Sequence, residues 1–163
     1  MSKAILSKQV VTNKQVILLR GLPGTGKSTF INSILKNSNQ LSDNIVIHST
    51  DHFFMTAEGY QFDAKKLPIN HQKNQQAFSD SLKKGIPLVI CDNTNIEYWQ
   101  MKPYLEAAHN YGYSVEVISV GLFKNSDKRQ QYVLRNSHNI EQEVVESMAK
   151  KSQRFNYLKH AVD

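Results

Sequence analysis

Apolar residues occur along the chain in short runs that alternate with longer segments of helical spacing. The runs are residues 16–19, 45–48, 87–91 and 115–120. Runs of this length predict buried strands, and helical segments between strands predict β-α-β units. We therefore expect an α/β fold with a mostly parallel sheet of four to five strands. A weakly alternating segment, residues 4–12, is the candidate for the fifth strand.

The segments between these runs predict crossover helices over residues 28–38, about 68–84 and about 97–110. Gly85 and Gly112 lie just beyond the last two segments, at the position where a glycine commonly ends a helix. We expect three layers, with helices packed on both faces of the sheet.

The pattern changes after the fourth run. Residues 125–137 and 140–155 predict two helices that are rich in Lys, Arg, Gln and Glu and are joined by a polar turn. A charged helical hairpin in this place can close over a bound ligand, or it can simply cover one face of the sheet. We favour a C-terminal helical lid that spans about residues 125–155.

A phosphate-binding motif, G-x-x-x-x-G-K-[ST], lies between the first predicted strand and the first predicted helix. The predicted nucleotide-binding residues are Gly21, Leu22, Pro23, Gly24, Thr25, Gly26, Lys27, Ser28 and Thr29. In this context backbone N–H groups point at a polyphosphate, Lys27 contributes a positive charge, and the Ser28 hydroxyl is a ligand for Mg²⁺. We expect a P-loop NTPase or kinase fold that binds ATP and Mg²⁺, rather than a glycine-rich turn without a ligand.

Composition narrows the class of protein. The 163 residues predict a single domain, 1–163, and the formal net charge of +6 suits a polyanionic partner or serves solubility alone. Cys91 ends an apolar run, which predicts a small core residue rather than a nucleophile. Because no apolar stretch approaches the ~20 residues of a bilayer span and the N-terminus lacks a signal-peptide pattern, we expect no membrane partner and a cytoplasmic location.

Polar residues follow the second apolar run, where the strand is predicted to end. In parallel sheets, ligands bind outside the carboxyl ends of the strands. Asp51 is therefore the candidate general base for a hydroxyl that attacks the γ-phosphate. The alternative is that Asp51 caps a short helix beginning at His52.

A second polar cluster, Asp92-Asn93-Thr94-Asn95, follows the third run. Asp92 has the position of the acidic residue that orients the metal in P-loop enzymes, or it contacts the acceptor. The cluster can instead form a turn that caps the next helix. We predict that Asp92, Thr94 and Asn95 bind substrate, with Thr94 or Asn95 partly structural.

The predicted lid is expected to supply an arginine for the charge that develops during phosphoryl transfer. Arg135 is the first candidate because it lies at the end of the first lid helix, and Arg129 is the alternative. A surface role for Arg135 fits its position equally well.

An aromatic-rich segment, residues 52–63, follows Asp51 and is too irregular to predict as a helix or a strand. Phe54 and Tyr60 are candidates for stacking on a nucleobase of the acceptor, or they belong to the local core. Trp99 and Tyr104 carry the same two interpretations. The histidines and the cysteine lack the spacing of a structural zinc site.

Several motifs, in this order along the chain, resemble those of one known family. They are residues 19–28, Ser49-Thr50-Asp51 with Phe53-Phe54, Tyr60 with Phe62-Asp63, Asp92-Asn93-Thr94-Asn95, Met101-Lys102-Pro103-Tyr104 and Arg135-Asn136. Over residues 15–155 the chain resembles the P-loop kinase domain of the NEDD4-binding-protein-2-like group. That group is related to the kinase half of phage polynucleotide kinase.

The resemblance implies transfer of the γ-phosphate of ATP to a 5′-hydroxyl of a nucleic acid. The general base of the phage enzyme corresponds to Asp51, and the arginine of its R-N-S lid motif corresponds to Arg135. Two basic residues of that enzyme have no counterpart here. The position of its further lid arginine holds Asn139, and Phe53 and Phe54 follow the base where a basic residue would stand.

Two other functions fit the same motifs. The acceptor can be a small metabolite or a nucleotide-sugar, or the chain can be a nucleotide-dependent binding module with no acceptor. The set of predicted catalytic residues, Lys27, Asp51 and Arg135, favours an enzyme. We expect ATP and a nucleic-acid 5′ end as its partners.

Overall fold

A computed structural model of the protein describes residues 13–37, 42–152 and 154. Within them the strands are β1 (Gln15–Arg20), β2 (Ile45–His48), β3 (Met55–Thr56), β4 (Gly59–Tyr60), β5 (Leu88–Asp92) and β6 (Ser114–Ser119). The α-helices of the same residues are α1 (Lys27–Asn37), α2 (Leu67–Lys83), α3 (Tyr98–Asn110), α4 (Ser126–Arg135) and α5 (Gln142–Lys151).

The central sheet has the order β2-β5-β1-β6, and all its described strands are parallel. β1 lies inside the sheet and is buried along almost its whole length. Its alternate side chains point to opposite faces. Val16 and Leu18 belong to a core with α2 and α3, whereas Ile17 and Leu19 belong to a core with α1. The predicted three-layer α/β fold is therefore confirmed.

The predicted elements agree with the observed ones to within a few residues, except at two places. The candidate edge strand at residues 4–12 lies outside the described residues. Residues 52–63, expected to be irregular, begin within a 3₁₀ helix, Thr50–Phe54, and continue into the small antiparallel hairpin of β3 and β4. A pair of two-residue strands is too short to leave a periodic signal in the sequence.

The α4–α5 hairpin packs on the end of the sheet rather than on a face. Tyr132 of α4 and Val145 and Ala149 of α5 form a buried cluster with Leu22 and Ile96, which lie in the loops that follow β1 and β5. The hairpin therefore lies over the carboxyl ends of the parallel strands. In the described part of the chain, no helix combines the length and apolarity of a membrane span.

The loop after β1 packs backbone against backbone on α4 at Gly24. Its φ is 79°, in the region that only glycine adopts without strain. A Cβ atom at this position would overlap the carbonyl oxygen of Tyr132. The contact therefore requires glycine for two independent reasons.

We expect Gly24→Ala to reduce the free energy of unfolding by more than Gly59→Ala does. Gly59 has a φ of 108° but open space where a Cβ atom would lie, so that its substitution costs backbone strain alone, on the order of 1–3 kcal/mol. Gly24→Ala adds overpacking against Tyr132, about 1–3 kcal/mol more. Urea unfolding of both variants measures the difference, and equal losses would contradict the close contact between the loop and α4.

Candidate active site

A cavity of about 780 Å³ opens at the carboxyl ends of the central strands. Several separate segments contribute to its wall. Its lining includes Gly24, Gly26, Lys27, Ser28, Thr29, Asp51, Tyr60, Phe62, His71, Asp92, Thr94, Arg135 and His138. The cavity thus brings together the predicted phosphate-binding loop, the ends of β2 and β5, and the α4–α5 turn.

The loop after β1 has two layers. Pro23, Gly24, Gly26, Lys27, Ser28 and Thr29 line the cavity, whereas Gly21, Leu22 and Thr25 lie behind them. Gly26, with a φ of 101°, makes the turn into α1. Leu22 is fully buried under the α4–α5 hairpin, so its side chain anchors the loop.

The Lys27 ammonium group is held inside this loop. Its Nζ donates to the carbonyl oxygens of Gly21 (2.9 Å) and Leu22 (3.1 Å). Burial lowers the pKa of Lys27, and the negative charges of Asp92 and Asp51 act in the opposite direction. The two carboxylates offset the effect of burial on the pKa of Lys27 only in part. Because little water screens charges in a mostly buried site, the ammonium group attracts anions strongly.

Asp51 lies in the 3₁₀ helix that follows β2. This helix is capped by Ser49, whose hydroxyl accepts from the Asp51 N–H at 3.3 Å, so the interpretation of Asp51 as the cap is wrong. The Asp51 side chain is 49% exposed and turns toward the cavity. Its Oδ1 accepts from the Tyr60 hydroxyl at 3.2 Å, and its Oδ2 lies 3.5 Å from His138 Nε2.

Tyr60 acts as a donor in this contact. Burial and the neighbouring Asp51 carboxylate raise the pKa of Tyr60 to about 12. The phenol therefore keeps its proton at neutral pH and remains bonded to Asp51.

Asp92 ends β5 and faces the cavity. Burial raises its pKa, and the nearby Lys27 ammonium lowers it. Ser28 and Asp92 offer a hydroxyl and a carboxylate, the hard oxygen donors that Mg²⁺ prefers. Among the described residues no cluster of three or more acidic, histidine or cysteine side chains could hold a metal ion. This donor set fits an Mg²⁺ ion held mainly by the phosphates of a nucleotide.

The loop after β5 is divided between site and scaffold. Thr94 lines the cavity, and its carbonyl oxygen accepts from the Gly21 N–H at 3.0 Å. Asn95 is buried with a φ of 46°, and its Nδ2 donates to the Leu19 carbonyl oxygen at 2.8 Å. The cap of α3 is Glu97, paired with Gln100 in a capping box, so the alternative interpretation of residues 92–95 as the capping turn is wrong. Asn95 therefore supports the loop from outside the cavity lining.

Arg20, the residue before the phosphate-binding loop, was not predicted as important. Its guanidinium is buried, donates to the carbonyl oxygens of Asn95 (2.8 Å) and Ile96 (3.1 Å), and stacks over the Phe123 ring. Burial lowers the pKa of Arg20. The sequence does contain a signal for this role. Arg20 is a basic residue at the end of an otherwise apolar strand, and a buried charge requires hydrogen-bonding partners.

The two candidate arginines of α4 have different environments. Arg129 forms an ion pair with Glu146 of α5 at 2.8 Å and donates to the Phe123 carbonyl oxygen at 3.1 Å, so it holds the hairpin together. Arg135 is exposed, lines the cavity and lies with its guanidinium carbon 5.5 Å from the centre of the Tyr132 ring. Of the two, Arg135 is the one that faces the cavity.

The aromatic candidates also separate. Phe54 is 2% exposed and packs in the core, where it supports the Phe62 ring at 5.1 Å. Phe62 is 58% exposed and lines the cavity, so it presents the ring that was expected of Phe54. Tyr104 is buried in the main core, and Trp99 is 63% exposed but is not one of the residues that line the cavity.

His138 was missed as a site residue, although it lies in the polar turn that the sequence predicted. Besides its approach to Asp51, its ring lies 4.1 Å from the Tyr60 ring at an interplanar angle of 34°. The sequence indicates these contacts only weakly, because His138 is far along the chain from both Asp51 and Tyr60.

Comparison with known proteins places this geometry in a family. A family model described as an AAA domain matches residues 16–155. Human NEDD4-binding protein 2 is 35% identical over a region that covers 94% of this chain. That region is only 8% of the length of the human protein, so the chain spans a small part of this relative.

Solved structures share the fold. A structure of the Pnkp1/Rnl/Hen1 RNA repair complex matches 92% of this chain and 46% of the other, with a TM-score of 0.63 and 18% identity. Chaetomium thermophilum Kti12 in complex with ADP-AlF3 matches 88% of this chain and 82% of the other, with a TM-score of 0.59 and 17% identity. The family match shows that the chain belongs to the AAA-domain family, in a P-loop kinase-like group to which the matching region of NEDD4-binding protein 2 is similar.

Proposed function

We propose that this chain is an ATP-dependent kinase that transfers the γ-phosphate to a 5′-hydroxyl of a nucleic acid. The observation that carries the proposal is the convergence of Lys27, Asp51 and Arg135 on one cavity. Phosphoryl transfer needs a phosphate cradle, a base for the attacking hydroxyl and a cation for the developing charge. These three residues can meet those needs from three separate walls.

In the proposed reaction the backbone of the P-loop and Lys27 bind the β- and γ-phosphates. The Asp51 carboxylate accepts the proton of the acceptor hydroxyl as its oxygen bonds to the γ-phosphorus. The bond from the γ-phosphorus to the bridging oxygen then breaks, and ADP leaves with that oxygen. Arg135 stabilises the charge on the transferred group.

Mg²⁺ belongs to this proposal as the counter-ion of the triphosphate. Ser28 would hold it together with phosphate oxygens, and Asp92 would orient its coordination shell. When bound, the ion neutralises charge on the β- and γ-phosphates. Lys27 then needs to neutralise only part of the negative charge of the triphosphate.

Three observations favour a nucleic acid over a small metabolite as the acceptor. Phe62 presents an exposed ring at the cavity, supported from below by Phe54, and such a ring can stack on a nucleobase. The net charge of +6 suits a polyanion. One structural neighbour is part of an RNA repair complex.

We expect Asp51→Asn to lower the rate of phosphate transfer to a 5′-hydroxyl oligonucleotide by about 10²- to 10⁴-fold. The amide keeps the shape of the side chain but cannot accept the proton. Labelled ATP and a panel of DNA and RNA oligonucleotides measure the transfer, and ATP affinity is the control, which should be retained because Lys27 and Ser28 are intact. Undiminished transfer would remove Asp51 as the base.

We expect Phe62→Ala to weaken oligonucleotide binding by about 1–3 kcal/mol, the range for stacking one base. The KM for the acceptor measures the loss, and Trp99→Ala is the matched control because Trp99 is similarly exposed but lies outside the cavity lining. An acceptor whose 5′ nucleotide lacks its base should bind both variants and the unmodified chain similarly. If Phe62→Ala has no effect on KM, the stacking role is excluded.

A further inference from the structure

The two oxygen atoms of the Asp51 carboxylate face different parts of the chain. Oδ1 accepts from the Tyr60 hydroxyl of β4 at 3.2 Å, and Oδ2 lies 3.5 Å from His138 Nε2 in the α4–α5 turn. The Tyr60 and His138 rings pack on each other at 4.1 Å. The carboxylate therefore sits between two side chains that also contact each other.

The turn that carries His138 is built on hydrogen bonds of the Asn136 side chain. The Asn136 side chain accepts from the N–H groups of His138 (3.3 Å) and Ile140 (2.8 Å), and it donates to the carbonyl oxygens of Val133 (2.7 Å) and Ile140 (3.1 Å). Arg135 ends α4 directly before this unit. Because Arg135 and His138 lie on either side of Asn136, a shift of the whole turn would carry both.

Contacts on both oxygens restrict rotation of the carboxylate without blocking it. An ionised carboxylate has about four lone-pair directions, so the Tyr60 hydrogen bond and the His138 contact leave others for an acceptor hydroxyl. If Tyr60 were its only contact, the Asp51 side chain, which is 49% exposed, would keep rotational freedom. The second contact, from His138, fixes its plane.

We propose that His138 is a positioning residue for Asp51, so that closure of the α4–α5 turn orients the base and delivers Arg135 in a single event. This inference rests on the proposed kinase function. Its consequence is that Asp51 is held ready to accept a proton only when the cation for the transferred phosphate is also in place. When a nucleotide is bound but the turn is open, Asp51 is poorly oriented to accept the proton.

The test compares His138→Ala and His138→Gln in the oligonucleotide kinase assay. Because misplacement of a reacting group by about 1 Å can lower a rate about 10²-fold, His138→Ala should lower kcat by roughly 10- to 100-fold. The KM for the oligonucleotide and the affinity for ATP should stay within about threefold, since Phe62 and the P-loop are intact. Gln retains a side-chain N–H donor of similar reach, and it should restore most of kcat.

A double-mutant cycle isolates the action through Asp51. In an Asp51→Asn background, His138→Ala should cause little further loss of transfer, because the base that His138 orients is already absent. Thermal unfolding of each variant shows whether the fold is retained. The Gln variant keeps the test decisive if the Ala variant is unstable.

Each contrary result has a separate meaning. If kcat is unchanged or higher in His138→Ala while Asp51→Asn still abolishes transfer, the positioning role is overturned and the proposed function stands. A loss that persists in the Asp51→Asn background also overturns it, since His138 then acts independently of the base. If the unmodified chain transfers no phosphate to any oligonucleotide, the proposed function and this inference both fail.

Discussion

The geometry of the cavity depends on the hydrogen bonds of the loop that follows β5. Asn93 Oδ1 accepts from the Thr50 N–H at 3.0 Å, which fixes the start of the helix that carries Asp51. The Thr94 carbonyl oxygen accepts from the Gly21 N–H, and Asn95 donates to the Leu19 carbonyl oxygen, which together fix the P-loop. The ends of three neighbouring strands are thereby tied to one short segment. Their relative positions do not rely on the ligand.

Because this frame is buried, the electrostatic interactions between its charged groups are strong. Lys27 and Asp92 lie close enough that each opposes the effect of burial on the pKa of the other. The buried Arg20 guanidinium bonds to carbonyl oxygens of the same β5–α3 loop, which ties a desolvated charge to the backbone that shapes the cavity. A displacement of this loop would leave several buried polar groups without partners, at a cost of about 1–3 kcal/mol each. The strand-end frame of the site is therefore held in one arrangement.

The sequence was most informative where the signal is local. The apolar run of β1 and the P-loop pattern predicted the sheet and the phosphate-binding turn, because both depend on neighbouring residues. The choice between Phe54 and Phe62 depended on a hairpin of two-residue strands, and the contact between Asp51 and His138 depends on how α4 packs. Neither leaves a periodic signal in the sequence. Tertiary packing decided which aromatic ring and which lid residue face the cavity.

The same packing separates the part of the site that is fixed from the part that can respond. The α4–α5 hairpin is held internally by the Arg129–Glu146 ion pair, and its apolar cluster is distinct from the two cores that flank the sheet. It meets the rest of the site at Leu22 and Ile96 of that cluster, at Gly24 and at the Asp51–His138 contact. The hairpin can therefore shift as a unit without disturbing either sheet core, because the free energy of local opening depends on its own contacts. Such a division places the P-loop and Asp51 on the rigid frame and Arg135 and His138 on the hairpin.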